Sequence, residues 1–282
     1  MDRSWSVARR VAGPAVRRVR REIQWRRCPD DLDLRTAPDE RCPHEVAAHA
    51  TPLFRELAGV DQQLQRNKVV NLGLAVARLD GLVLEPGQRL SFWRHVGRPT
   101  ASRGFLPGLV LDHGRLGAAV GGGMCQLTNL MYWMTLHTPL TVAERWRHSY
   151  DVFPDAGRTQ PFGSGATCAW PSLDLQVTNA TVTAFRLGLD LTATHLRGRW
   201  TADRPVPGSY RVYEARHLIT NEAPGVFLRH NVLRRTVLDV DGLEVGDELV
   251  AANQGLLMYQ PFLEAGPSVP PPPPELGPHP AG

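Results

Sequence analysis

The chain of 282 residues, 42% hydrophobic and 21% charged, has the composition of an ordinary soluble globular protein and enough apolar content for one large domain with appendages. Its 24 prolines and 26 glycines speak for loops and strands and against a helical bundle. A net charge of +4, carried almost entirely by arginine with Lys68 as the single lysine, is a weak indicator of partners.

The four cysteines, Cys28, Cys42, Cys125 and Cys168, include no CxxC pair. A disulfide scaffold does not suit a chain of this size, and no metal or cofactor is expected. The sequence shows neither a signal-peptide core nor a run of about 18 apolar residues. The expectation is a cytoplasmic protein, with peripheral contact at the inner membrane face as a further option.

In chain order, residues 1–60 read as a basic N-terminal helical arm and linker. The first 27 residues carry nine arginines against Asp2 and Glu22, with Val16, Val19 and Ile23 at helical spacing and Pro14 splitting the arm. Such a segment suits a solvated helix, and its second reading is contact with an anionic membrane. With no aromatic or motif context, no nucleic-acid partner is expected. Residues 61–262 form the expected domain. Leu64, Val69, Leu72, Val76 and Leu79 predict a helix over 61–80, with Asp61 as N-cap and Gly81 just past its end. Short strands follow on either side of Glu85-Pro86-Gly87, and Asp112-His113-Gly114 marks a second turn. A helix from about 124 to 137 ends before Pro139. Alternating runs then predict strands in "LTVAERW", "LDLQVTNAT", "FRLGLDLTATHLRGRW" and "SYRVYEARHLI", and a strand pair in "VFLRHNVLRRTVLDVDG". Residues 263–282 are a proline-rich disordered tail. The fold class is therefore α+β: a mainly antiparallel sheet packed against a central helix that follows a Gly-rich turn, with an N-terminal helical region.

The chemistry concentrates at "GGGMCQ". Gly121, Gly122 and Gly123 permit a sharp strand-to-helix turn that sets Cys125 near a helix start, where free N–H groups and the helix dipole favour a thiolate. The alternative is a small buried hydrophobe in a tight turn. His148 is the expected base, since His137 lies about 18 Å along the helix. Asp151 or Asp155 would orient His148, Gln126 would add an oxyanion donor, and Arg145 or Arg147 would hold a carboxylate. Cys168 reads as buried, and "FGSGATCAW" as a loop lining a cleft rather than a phosphate loop.

The segments "LEPGQRLSFWRHVGRPT", "GFLPGLVLDHGRL", "GGGMCQLTNLMYWMTLHTPLTVAERWRHSYDVFPD" and "LDLQVTNAT" together resemble the VanW family over about residues 67–217. The family pattern is matched at Gly121, Gly122, Gly123, Cys125 and Gln126, then at Glu144, Arg145 and His148. The resemblance implies a link to glycopeptide (vancomycin) resistance and to peptidoglycan-precursor or other cell-envelope metabolism, without an established reaction. Other members carry the domain in longer secreted or anchored proteins, and this chain looks like the short, cytoplasmic-type form. Two functional classes follow. The first is an accessory or binding protein whose turn, with Glu144 and Arg145, shapes a pocket for a peptide-like or cell-wall precursor molecule. The second is a cysteine-dependent acyl transferase or hydrolase using Cys125, His148 and Gln126.

Overall fold

The computed structural model describes residues 3–27, 32–54, 61–112, 115–152, 160–259 and 261, with backbone alone for 3–14, 112 and 115. Cys28, His113, Asp155 and the 263–282 tail lie outside the described residues.

In chain order the elements are α1 (Arg3–Arg27), β1 (Arg35–Thr36), β2 (His44–Pro52), α2 (Gln62–Leu79), β3 (Leu82–Leu84), β4 (Arg89–Ser91) and α3 (Phe92–Val96). There follow β5 (Pro107–Asp112), β6 (Arg115–Val120), α4 (Met124–Leu136), β7 (Thr141–Glu144), β8 (Tyr150–Asp151) and β9 (Gln176–Thr178). The chain closes with β10 (Phe185–Leu191), β11 (His195–Ala202), β12 (Ser209–Ala223), β13 (Val226–Leu238) and β14 (Glu244–Leu257). The fold is α+β with mainly antiparallel sheets, as expected.

A five-stranded sheet in the order β1-β3-β10-β11-β2 carries the core. Helix α2 packs on β10, α4 on β2 and β11, and the two helices touch each other. Along β11, Leu196, Gly198 and Trp200 face inward at period two. Gly198 brings the strand close to α4, because a Cβ there would meet Met134 and Leu130. Trp200 is fully buried and its indole N–H donates to Thr135 Oγ1 at 3.1 Å, which satisfies the one polar atom that its burial strands. The expected helix over 61–80 is α2, and Asp61 caps it by accepting from the Gln63 N–H at 2.8 Å.

Three features differ from the sequence-based expectation. Strand β2 runs antiparallel to β11 within the segment expected to be arm and linker. Its alanine-rich half-exposed pattern carries little hydrophobic alternation, so no periodicity announces it. Pro14 does not split the arm, since α1 continues through it. The run "VFLRHNVLRRTVL" is one long strand, β13, between β12 and β14, rather than a pair.

The second half of α1 is docked by two residues one turn apart, Arg21 and Trp25. Arg21, 7% exposed, forms a bidentate ion pair with Glu144 of β7 (2.6 and 2.7 Å) and donates to the carbonyls of Pro171 and Ser172. Trp25 donates to Ser91 Oγ at 3.1 Å, and Ser91 in turn donates to the buried Asp174 carboxylate at 2.6 Å. Burial alone would push the Glu144 carboxyl up, but hydrogen bonds from Arg21 and Trp146 outweigh it and hold the group below the usual range.

Arg21→Ala would strand a half-buried carboxylate, with an expected cost of about 3 kcal/mol in denaturant unfolding. Arg21→Lys should recover only part of this, because an ammonium cannot reproduce the two-pronged contact. In a double-mutant cycle with Glu144→Gln, a coupling below about 0.5 kcal/mol would contradict the pairing. His95 on α3 gives a second test. Burial, then Arg94, lowers its pKa to about 4, although Asp33 pulls the other way. A histidine with a depressed folded pKa keeps its contribution to stability above the unfolded value of about 6.5 and loses it as pH falls toward 4. The unfolding midpoint should drop across that window, and His95→Gln should flatten the slope.

Candidate functional site

The turn between β6 and α4 is held from three sides. Gly122 lies against the Gly108 backbone of β5, where a Cβ would collide with the carbonyl group. Gly123 adopts φ +102° beside the Lys68 side chain, in the region that L side chains rarely enter. Asn71 of α2 clamps the turn by donating to the carbonyls of Gly122 and Leu106 and accepting from the Leu106 N–H. Gly122 is thus required by close backbone approach and Gly121 and Gly123 by their positive φ, and the start of α4 is fixed by this packing.

Cys125 is the second residue of α4 and is partly buried against the core. As at any helix start, its N–H and that of Met124 lie outside the i→i−4 ladder, so both point along the positive end of the helix dipole. The next turn of the helix grips the loop over residues 163–168. Thr128 Oγ1 donates to the Ala166 carbonyl at 2.6 Å, and the Ala166 N–H donates to Asn129 Oδ1 at 2.7 Å. Cys125, Thr128 and Asn129 share one helix face, so fixing Ala166 brings Cys168 over Cys125. In its protonated form Cys125 Sγ donates to the Cys168 carbonyl at 3.7 Å, and the two thiols are close enough to shift each other's pKa.

The strand leaving β7 closes the other side. An isolated bridge pairs Trp146 with Thr167, whose N–H donates to the Trp146 carbonyl at 2.7 Å. His148, two residues on, comes close enough to the Cys125 sulfur to lower its pKa. The structure therefore brings together the cysteine and histidine that the sequence separates by 23 positions.

Two thiols and an imidazole in one partly buried place split the thiol pKa values apart. The hydrogen bond from Cys168 lowers Cys125 most, burial opposes it, and the hydrogen bond and charge of His148 lower it further, so Cys125 lies well below an ordinary thiol. Cys168 moves the opposite way, first through burial and then through its bond to the Cys125 sulfur. Of the two thiols, Cys125 is thus the one that ionises more readily and Cys168 the one that keeps its proton longer.

Other expected site residues have different surroundings. Both amide protons of Gln126 are engaged, one by Thr51 Oγ1 at 3.0 Å and one by the Pro52 carbonyl at 2.8 Å, so its side chain ties α4 to the end of β2. Glu144 accepts from Arg21, Trp146, Gln176 and the Asp174 N–H, which saturates its oxygens with protein donors. Arg145 donates to the carbonyls of Gly163 and Gly165 and to Asn253, and lies over the Tyr132 ring at 4.7 Å. It holds the loop that carries Cys168. Arg147 donates to the His148 carbonyl at 3.2 Å and has no carboxylate partner among the described residues. Asp151 pairs with Arg229 at 3.4 Å and accepts from Tyr259, and among the described residues no carboxylate contacts His148. His137 binds the Tyr210 carbonyl at the far end of α4. Among the described residues no group of three or more metal-ligating side chains occurs.

Sequence reasoning missed the part played by Cys168, Thr128 and Asn129. Two polar residues at positions three and four past the cysteine, in an otherwise apolar helix, were the one available signal.

Comparison with known proteins agrees with this sequence core. The family model described as VanW like protein matches residues 67–201. The chain is 30% identical over 224 residues to the Vancomycin B-type resistance protein VanW of Enterococcus faecalis, covering 79% of this chain and 82% of that protein. It is 28% identical over 136 residues to the uncharacterized protein YoaR of Bacillus subtilis, covering 48% of this chain and 43% of that protein. No solved structure matches. The chain belongs to the VanW family.

The lowered Cys125 pKa predicts a distinctive reactivity. Cys125 should alkylate with iodoacetamide near neutral pH along a profile whose midpoint lies well below about 8.5, the ordinary thiol value. Cys42, raised by burial, should stay unmodified. Cys168→Ala and His148→Ala should each move the Cys125 midpoint upward. An unchanged profile in both variants would show that neither group tunes the sulfur.

Proposed function

We propose that this VanW-family chain is a cysteine-dependent acyl-transfer or hydrolytic enzyme acting on a peptide-like cell-envelope precursor. The observation that carries the reading is the Cys125 sulfur held between His148 and Cys168 at the start of a helix. In the proposed reaction the Cys125 thiolate attacks an acyl carbonyl, and the N–H groups of Met124 and Cys125 donate to the developing oxyanion. Protonated His148 then gives its proton to the leaving amine, which departs as the thioester forms. Water or a second amine, deprotonated by His148, releases the acyl group and restores the thiolate. Arg147, which has no acidic partner among the described residues, is the side chain available for a substrate carboxylate. Gln126 and Arg145 act in this scheme by fixing the helix start and the Cys168 loop.

The link to vancomycin resistance rests on the name of the Enterococcus faecalis relative, and it gives the substrate class a direction: peptide-containing precursors of the cell wall. A second reading, an accessory or binding protein, is favoured by one specific observation. The Gln126 amide and the Arg145 guanidinium are turned inward to the protein, as they are in a rigid pocket wall.

The two readings part on a trapping experiment. With a peptide thioester or ester probe, the enzyme reading expects an acyl adduct on Cys125 by intact-mass spectrometry. His148→Ala should slow adduct formation by about 10²–10⁴-fold, the range of a general acid–base group. Cys125→Ala should lose turnover while keeping its unfolding midpoint. A protein that supports resistance equally well with Cys125→Ala would be a binding protein.

A further inference from the structure

Helix α1 has a second edge that neither the ion pair to Glu144 nor the thiol site uses. Arg21 and Trp25 turn inward, while Val16, Val19 and Ile23 stand 49%, 57% and 46% exposed in a line along the helix. Three aliphatic side chains at helical spacing on the outside of a docked helix have no core to serve. By the same periodicity Arg26 flanks the line on one side, and Arg20 and Arg27 flank it on the other.

Arg20, Ile23 and Arg27 also line a cavity of about 420 Å³ between α1 and β4, whose remaining wall includes Trp25, Leu32 and Arg89. The lining holds three arginines and no carboxylate. The nearby acids Glu144 and Asp174 face Arg21 instead. Among the described residues Arg20, Arg27 and Arg89 have no ion-pair partner, and Arg89 Nε is buried without a hydrogen-bond acceptor. A buried guanidinium N–H lacking an acceptor is costly, and the three arginines without a carboxylate give the cavity an unbalanced positive charge that an anion would neutralise.

The cavity and the apolar line are continuous through Ile23, which belongs to both. An anionic group seated among arginines, with hydrocarbon beside it, is the chemistry of a phospholipid at a bilayer surface. We infer that this edge of α1 docks the protein on an anionic membrane, with Val16, Val19 and Ile23 entering the headgroup boundary and a lipid phosphate seated among Arg20, Arg27 and Arg89. No described helix is long and apolar enough to cross a bilayer, and the contact is one of the surface only. Charge complementarity selects the lipid: a neutral surface would leave three clustered arginines unpaired.

The test is co-sedimentation of the full chain with phosphatidylcholine vesicles and with vesicles containing about one-third phosphatidylglycerol. Binding is expected to the anionic vesicles alone and to weaken as salt rises. Arg89→Gln should weaken partitioning by about fivefold, which corresponds to the ~1 kcal/mol that one arginine contributes at an anionic surface. Val19→Glu, at an exposed position, should abolish it while leaving the unfolding midpoint unchanged. Arg197→Gln removes one positive charge from β11 and should change binding by less than twofold. Equal binding to neutral and anionic vesicles would overturn the inference, as would equal losses for Arg89→Gln and Arg197→Gln. So would displacement of the protein from vesicles by millimolar inorganic phosphate, since the cavity would then be a site for free phosphate.

Discussion

The candidate site depends on one clasp, the pair of hydrogen bonds by which Thr128 and Asn129 hold the backbone of Ala166. Those two side chains sit one turn past Cys125 on the same helix face, so the clasp sets where the next residues of the loop lie. Cys168 is brought to the thiol by backbone hydrogen bonding, and no disulfide is needed to hold it there. Loops are ordinarily the more mobile parts of a fold. This one is tied by α4 on one side and by the Arg145 guanidinium on the other. A side chain whose neighbours are fixed in this way is held in one position.

The arginines divide their work by burial. Arg21 and Arg145 lie inside, and each is matched by several acceptors; both serve to join elements distant in sequence. Arg21 joins the N-terminal helix to β7, which leads into the segment bearing His148. Burial lowers the Arg145 pKa from its ordinary value, yet guanidinium titrates so far from neutrality that the charge stays. Among the described residues, Arg20, Arg27 and Arg89 have no ion-pair partner. The same residue type therefore acts as an internal rivet in one set of positions and as an unsatisfied charge in another. This contrast, rather than the net charge of +4, is the informative electrostatic feature of the chain.

Much of the fold was legible because its causes are local. Asp61 before an apolar helical period announced α2, and the glycine run announced a strand-to-helix turn. Strands β10 and β11 showed themselves through alternation. Strand β2 escaped because its half-exposed alanines obey no period, and α3 because a helix of five residues has too few positions to show one. The continuation of α1 through Pro14 has no local cause in the sequence.

At the site the division follows the same line. The sequence by itself determined the family, the position of Cys125 at a helix start, and His148 as the histidine able to return to it. Each of these follows from motif, glycine conformation and spacing along one segment. Only the tertiary structure decided that Cys168, 43 positions away, sits against the thiol. It also decided that Glu144 belongs to Arg21, 123 positions earlier, and that Gln126 and Arg145 turn inward. The physical reason is that a side chain of fixed chemistry can satisfy its hydrogen bonds equally well with substrate or with protein. Which partner it takes depends on the packing of elements that share no sequence neighbourhood.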